Sequence, residues 1–295
     1  LAVTKINQKI ARIANPVDLK KLFMLKAFLR ILAILPLPLI HGLGILAGWM
    51  MYVSDYKFRR RIRNNLLKVD ITDSSSHRHL VRKVTREIGK GLVETFAIWF
   101  RPPYKVLQWV RYTTGWEHVE QAHTESKGII FLTPHLGCYE ITALYYAAQY
   151  PITVLFRPPR QQWLAPLIDE GRSRSRIKLA PTNMQGVRNL LRALKKGEAI
   201  GILPDQVPAS GEGVWANFFQ NPAYTMTLAT KLAESTDATV LLAFGERLSW
   251  GRGFAIHIRP LGTTATPQHI NDGIEQLVRQ CPSQYLWSYR RFKKP

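Results

Sequence analysis

Cysteine and acidic residues are both scarce in this chain. Cys138 and Cys281 are the only cysteines among 295 residues. Two are too few for a disulfide framework and lack the paired spacing of a zinc site, so two free thiols in a reducing compartment are the simplest expectation. His77, His79, His118, His123 and His257 also show no metal-ligand spacing with one another, and no metal is expected. Asp and Glu number 20 against 41 Lys and Arg, a formal charge of +21. Such a field attracts anionic partners: nucleic acid, anionic lipid or acidic protein. Nothing resembles a helix-turn-helix, an RRM or an OB signature, which argues against nucleic acid. No internal repeat, low-complexity tract or signal-peptide pattern is evident.

Charge is also missing locally. From Ile31 to Ser54 there is no Lys, Arg, Asp or Glu, and a run of about 20 such residues is long enough to span a bilayer. Pro36, Pro38, Gly42, Gly44, Gly48 and His41 interrupt it, so two short interfacial helices fit as well as one spanning helix. Basic residues flank both ends, Lys20, Lys21, Lys26 and Arg30 before, Lys57, Arg59, Arg60, Arg61 and Arg63 after. That symmetry gives no orientation by the positive-inside rule, but it suits a segment touching anionic headgroups. Residues 1–54 are therefore read as a membrane-anchoring segment and 55–295 as the catalytic domain.

The remainder is rich in short apolar runs. A basic helix is expected over Tyr56 to Leu67 and a longer one over Ser76 to Phe100, capped by Ser74, Ser75 and Ser76 and ended by Pro102 and Pro103. GIIFLTP, ITVLF, EAIGIL and ATVLLAFGE read as buried strands, with helices over Tyr139 to Gln149, Trp163 to Arg174 and Gln185 to Lys196 between them. A further strand over Gly253 to Ile258 and a helix over Pro267 to Gln280 complete an α/β domain, a mixed sheet flanked by helices. Pro204 to Tyr224 lacks a helical period and reads as a long loop.

The chemistry-bearing segment is GIIFLTPHLGCYEITALYYAAQ, where a strand runs into a turn and a helix. Sites in α/β sheets sit at this end of a strand. His135 and Glu140 would lie about 140° apart on one helix, so they meet only if His135 is in the turn, which Pro134 and Gly137 favour. A neutral imidazole can take the proton of an alcohol nucleophile, and a carboxylate behind it fixes the tautomer. Backbone amides at the helix start or a nearby arginine would serve the oxyanion. Taken alone, the pair is more readily a structural hydrogen bond than a catalytic one. Cys138 reads as packing and His41 as a buried or interfacial histidine.

The motif HLGCYE resembles that of the bacterial late acyltransferases of lipid A biosynthesis, within the lysophospholipid acyltransferase superfamily, whose hallmark is His, four residues, then Asp or Glu. RRRIRNNL after the apolar run, VLFRPPRQQWL, GRSRSR, ILPDQ, ANFFQNPAYT and the closing QYLWSYRRFK are similar in order to the family pattern. Residues 207–213 depart from it. The resemblance implies His135 as general base and Glu140 as its partner, with Arg157, Arg172 and Arg174 meeting phosphates or the oxyanion and Asp205 in the same cleft. It also implies acyl carrier protein as donor, a lipid A precursor as acceptor, membrane lipids as surroundings, no cofactor, and a bacterial inner membrane location with the catalytic domain facing the cytoplasm. A glycerolipid or glycolipid acyltransferase and a non-catalytic basic lipid-binding protein are the alternatives.

Overall fold

The computed structural model describes residues 16–295 apart from 70, 72, 73, 160 and 263. Residues 1–15 of the expected anchoring segment, and the side chains of Ser74, Ser75 and Ser76, lie outside the described residues. The uncharged run is split between two helices, α1 (Pro16–Ile34) and α2 (Leu37–Ser54). Pro36 sits in extended backbone at the break and Pro38 in the first turn of α2, where a missing N–H leaves no bond unmade. The basic helix α3 (Tyr56–Val69) follows, then the long α4 (Ser74–Phe100).

Helix α2 lies against α4. A Cβ on Gly89 would meet the Gly44 carbonyl oxygen at 2.0 Å and the Gly48 amide nitrogen at 2.5 Å, so the helices approach at a distance only glycine permits. By length and composition α2 could cross a membrane. One face of it (Leu37, Ile40, His41, Gly44, Gly48) is buried, whereas Leu39, Leu43, Leu46, Met50 and Val53 are exposed.

The chain continues through α5 (Pro103–Leu107), β1 (Val110–Thr114), α6 (Glu117–Thr124), β2 (Ile129–Leu132), α7 (Tyr139–Ala147) and β3 (Ile152–Phe156). After these come α8 (Ala165–Arg172), β4 (Ile177–Pro181), α9 (Met184–Lys195) and β5 (Ala199–Ile202). The last part holds β6 (Gly213–Phe218), β7 (Asn221–Met226), α10 (Leu228–Thr236), β8 (Thr239–Arg247), β9 (Phe254–Pro260) and α11 (Pro267–Gln280). Seven strands form one sheet in the order β1-β9-β8-β2-β5-β3-β4. β8 and β9 pair antiparallel and every other neighbour pairs parallel, so the sheet is mixed, as expected.

Residues 204–224 are not all loop: β6 and β7 form an antiparallel hairpin in which Trp215 pairs with Tyr224. Its turn places Phe219 and Gln220 at φ 48° and 59°. Neither is Gly, Asn or Asp, the residues that ordinarily announce such a turn, which is why the hairpin was hidden.

The two faces of the central strands differ. Ile130, Leu132, Ile200, Ile202, Val240 and Leu242 belong to one core with residues of α9, α10 and α11, among them Leu190, Leu232 and Ile274. The alternate residues Ile129, Phe131, Ala199, Leu241 and Ala243 belong to another with Tyr146 and Ala147 of α7 and Val119 of α6. Period-two alternation in fully buried strands produces this division.

Candidate active site

β2 and β5 are parallel neighbours, with Leu132 opposite Ile202, so the segments leaving their C-terminal ends begin side by side. Thr133 extends the pairing by donating its N–H to the Ile202 carbonyl at 2.9 Å. His135 comes from the first segment and Asp205 from the second. Asp205 grips His135 twice: Oδ1 is 2.8 Å from the imidazole Nδ1, and Oδ2 accepts from the His135 backbone N–H at 2.9 Å. The two contacts fix both ring tilt and backbone position. Burial raises the Asp205 carboxyl, but the charge and hydrogen bonds of His135, with the Arg291 guanidinium, outweigh it and hold the group below the ordinary carboxylate range.

With Nδ1 donating to Asp205, Nε2 is the basic nitrogen. Gln206 Nε2 stands 3.1 Å from it, an amide N–H directed at its lone pair. The Tyr139 ring lies 5.0 Å from the imidazole, centroid to centroid.

The turn after His135 is clamped on every peptide. Gly137 sits at φ +61°, and a Cβ there would lie 2.0 Å from the Gly245 carbonyl oxygen, so a left-handed residue without a side chain is required. Its N–H donates to the Gln284 carbonyl at 3.0 Å, and Cys138 N–H to the Gly245 carbonyl at 2.7 Å. Its carbonyl accepts from Arg247 Nη2 at 2.7 Å. These turn amides are already engaged, which leaves the oxyanion role expected of backbone donors to the first turn of α7 or to arginine.

Arg247 is itself buried, and its Nε donates to Glu94 Oε1 at 2.7 Å, while Glu94 Oε2 is 2.9 Å from His41 Nε2. Burial opposes ionisation of Glu94, yet Arg247 and His41 bring its pKa down to about 2. A chain of polar contacts thus runs from α2 through α4 to the turn that carries His135. The sequence reading missed Arg247, Glu94 and Gln284; the signal it could have used is a charged residue closing a strand as apolar as ATVLLAFGE.

Glu140 lies in the first turn of α7 and faces another partner. Arg172, at the end of α8, donates to its Oε1 through Nε at 3.0 Å and also through Nη2. The same guanidinium stacks over the Trp99 ring at 5.3 Å. The structure therefore brings His135 together with Asp205, and Glu140 together with Arg172. Arg174 turns away to the C-terminus of α4, where its guanidinium donates to the carbonyls of Ile98, Trp99 and Arg101. These are the carbonyls a helix end leaves unpaired, so Arg174 serves as a C-terminal cap. Arg157 is exposed at the rim beyond β3. Burial pushes the Cys138 thiol well above its usual range, in keeping with packing rather than nucleophilic use.

His135, Glu140, Arg157, Arg172 and Arg174 all line one cavity of about 980 Å³. It runs between α7 and the sheet face bearing Phe131, Val154, Gly201, Ala243, Ile256 and Ile258. Gly201 pairs with Phe131 on one side and Val154 on the other, so one position in this row has no side chain. Polar side chains, His135, Glu140 and Arg172 among them, share this lining with the apolar sheet face, which suits a long apolar ligand carrying a polar head.

The sequence pattern of the bacterial lipid A biosynthesis acyltransferases matches residues 15–294. The chain belongs to that family. The lipid A biosynthesis lauroyltransferase of Escherichia coli (strain K12) is 27% identical over 269 residues, covering 88% of this chain and 87% of the relative. The lipid A biosynthesis palmitoleoyltransferase of the same strain is 27% identical over 267 residues, 88% of this chain and 86% of the relative. A lipid A biosynthesis acyltransferase of Haemophilus influenzae is 27% identical over 179 residues, 59% and 56% of the two chains. Among the described residues no group of three or more His, Cys, Asp or Glu side chains could hold a metal.

Proposed function

We propose that this chain transfers a fatty acyl group from acyl carrier protein to a hydroxyl of a lipid A precursor at a membrane surface, with His135 as general base and Asp205 as the carboxylate that orients it. The observation that carries this reading is His135, held by Asp205, in the wall of a cavity of about 980 Å³ large enough for an acyl chain. The acceptor hydroxyl oxygen attacks the thioester carbonyl carbon while its proton passes to His135 Nε2. Asp205 stabilises the imidazolium that forms. Collapse of the oxyanion breaks the C–S bond, and the proton goes from Nε2 to the departing thiolate. Gln206 yields its place at Nε2 to the hydroxyl when the acceptor binds.

Glu140 has a different task in this reading. It anchors Arg172 so that a cation faces the carbonyl oxygen that becomes negative, in a site where a fixed charge acts strongly. Arg157 on the rim suits a phosphate of the acceptor, since guanidinium pairs with phosphate in bidentate fashion. The apolar faces of α1 and α2, with Phe23, Phe28, Ile31, Leu43 and Met50 exposed, suit a bilayer surface that supplies the acceptor. Because α2 lies against α4, its membrane-facing side is its exposed half.

The test is transfer of a labelled acyl group by the purified protein in detergent, with acyl carrier protein or coenzyme A as donor and a lipid A precursor or a lysoglycerolipid as acceptor. Transfer from acyl carrier protein to the lipid A precursor is expected. Transfer to the lysoglycerolipid alone would move the chain to glycerolipid chemistry, and no transfer to any acceptor would leave a lipid-binding protein.

A further inference from the structure

The loop between β8 and β9 makes one turn of 3-10 helix at Ser249–Gly251 and carries Trp250, 90% exposed, the largest exposure among the big apolar side chains described. Its backbone is left-handed, φ 63° and ψ 23°, a conformation unfavourable for a residue with a Cβ and aromatic bulk. The loop is nevertheless pinned. Leu248 N–H donates to the Gly253 carbonyl at 2.9 Å, and a Cβ on Gly251 would sit 2.6 Å from Pro38 Cα, so the turn presses on the first turn of α2. The loop holds an indole outward beside the α1–α2 junction.

Cations and other rings gather at the same place. Arg101 donates to the Ile34 carbonyl at the end of α1 at 2.9 Å, and its guanidinium lies 4.7 Å from the Trp109 ring. Arg111 donates from Nε to the carbonyl of the exposed Arg252. Tyr104 of α5 and Tyr112 of β1 are exposed. The segments these contacts join, 34–38, 101–111 and 248–254, contain no Asp or Glu. Exposed Ile31, Ile34 and Leu39 adjoin them. Exposed aliphatic side chains, an indole and guanidiniums gathered at one place are the combination favoured where hydrocarbon gives way to phosphate headgroups.

We propose that Trp250 with Arg111 and Arg252 forms a second membrane contact, made by the catalytic domain to the headgroup region of an anionic phospholipid bilayer, which fixes how the domain sits above the surface. The inference rests on the reading that the α1–α2 face meets a bilayer and adds a contact outside it.

Trp49, half-buried on α2, reports on the α1–α2 face, so the test places the wild type, Trp250→Phe and Trp49→Phe in nanodiscs of phosphatidylcholine and phosphatidylglycerol, with and without brominated acyl chains. The emission difference between wild type and each variant isolates one indole. The Trp250 component is expected to be quenched at least about twofold by bromine. Quenching of the Trp49 component alone would overturn the second contact while leaving the α1–α2 reading intact. Quenching of neither would overturn both. Arg111→Gln with Arg252→Gln is expected to weaken the preference for phosphatidylglycerol over pure phosphatidylcholine, and an unchanged preference would remove the arginines from the contact.

Discussion

The two faces of the β2, β5 and β8 strands come from the same three short apolar segments, yet one face is solid and the other hollow. Leu132, Ile200 and Leu242 are met by residues of α9, α10 and α11, helices of 12, 9 and 14 residues. On the opposite face the nine-residue α7 covers a row in which Gly201 and Ala243 replace larger side chains, and a cavity remains. Stability is concentrated on the filled side and ligand space on the other. Both faces are apolar enough to be buried, so hydrophobic pattern alone cannot tell a packed face from an acyl-sized slot.

Substitutions can break that contrast, and the largest effect is expected where the two sides meet, at the end of β8. Arg247→Met leaves Glu94 buried without its cation and frees the Gly137 carbonyl, and a stability loss of about 3–5 kcal/mol is expected by denaturant unfolding. Next comes Leu132→Ala on the filled face, with a loss of about 3 kcal/mol, against about 1 kcal/mol for Val154→Ala beside the cavity, where less contact is lost.

Gly201→Leu should convert the hollow face towards a filled one at smaller cost. The nearest atom to a Cβ there is Val154 Cγ2 at 3.4 Å, so the first carbon fits and the rest enters the slot. The fold should survive, while kcat/KM for long acyl donors falls about tenfold, about 1.4 kcal/mol, relative to short ones. A chain-length series measures it. Equal losses at every length would mean that the acyl chain lies elsewhere.

The smallest effect at neutral pH is that of pH itself. Glu94 is held at about 2, below the ordinary value of 4.5, and Asp205 is also lowered, so both carboxylates bind fewer protons folded than unfolded. Their contribution is complete above about pH 5 and disappears as pH falls from about 4.5 towards 2. Thermal unfolding midpoints that drop over this acid range would agree, and in Arg247→Met the Glu94 share of the drop should shrink.

Much of this was legible from the chain. GIIFLTP, ITVLF, EAIGIL and ATVLLAFGE all contain strands of the sheet, and Pro134 with Gly137 announced the turn that takes His135 out of helix. Other features depend on distant chain segments that spacing cannot reveal. Asp205 lies 70 residues from His135 and reaches it because β2 and β5 are neighbours, whereas Glu140, five residues away, leaves the turn on a helix directed at Arg172. Arg174 looked like Arg172 in GRSRSR, but the C-terminus of α4 claims its donors. The β6–β7 turn lacked its usual residues. Arg247 gave only the faint sign of a charge at the end of an apolar strand.

The most direct measurement of the central claim is kcat for acyl transfer by Asp205→Asn, beside Glu140→Gln, Arg172→Met and the Glu140→Gln/Arg172→Met double variant. With Asp205 behind His135, Asp205→Asn should keep its fold and lose about 10³–10⁴ in kcat, and the Glu140 and Arg172 losses should be strongly non-additive because they act as one pair. An Asp205→Asn enzyme within tenfold of wild type, with Glu140→Gln losing about 10³ or more and that loss additive with that of Arg172→Met, would contradict the account and return Glu140 to the place behind His135.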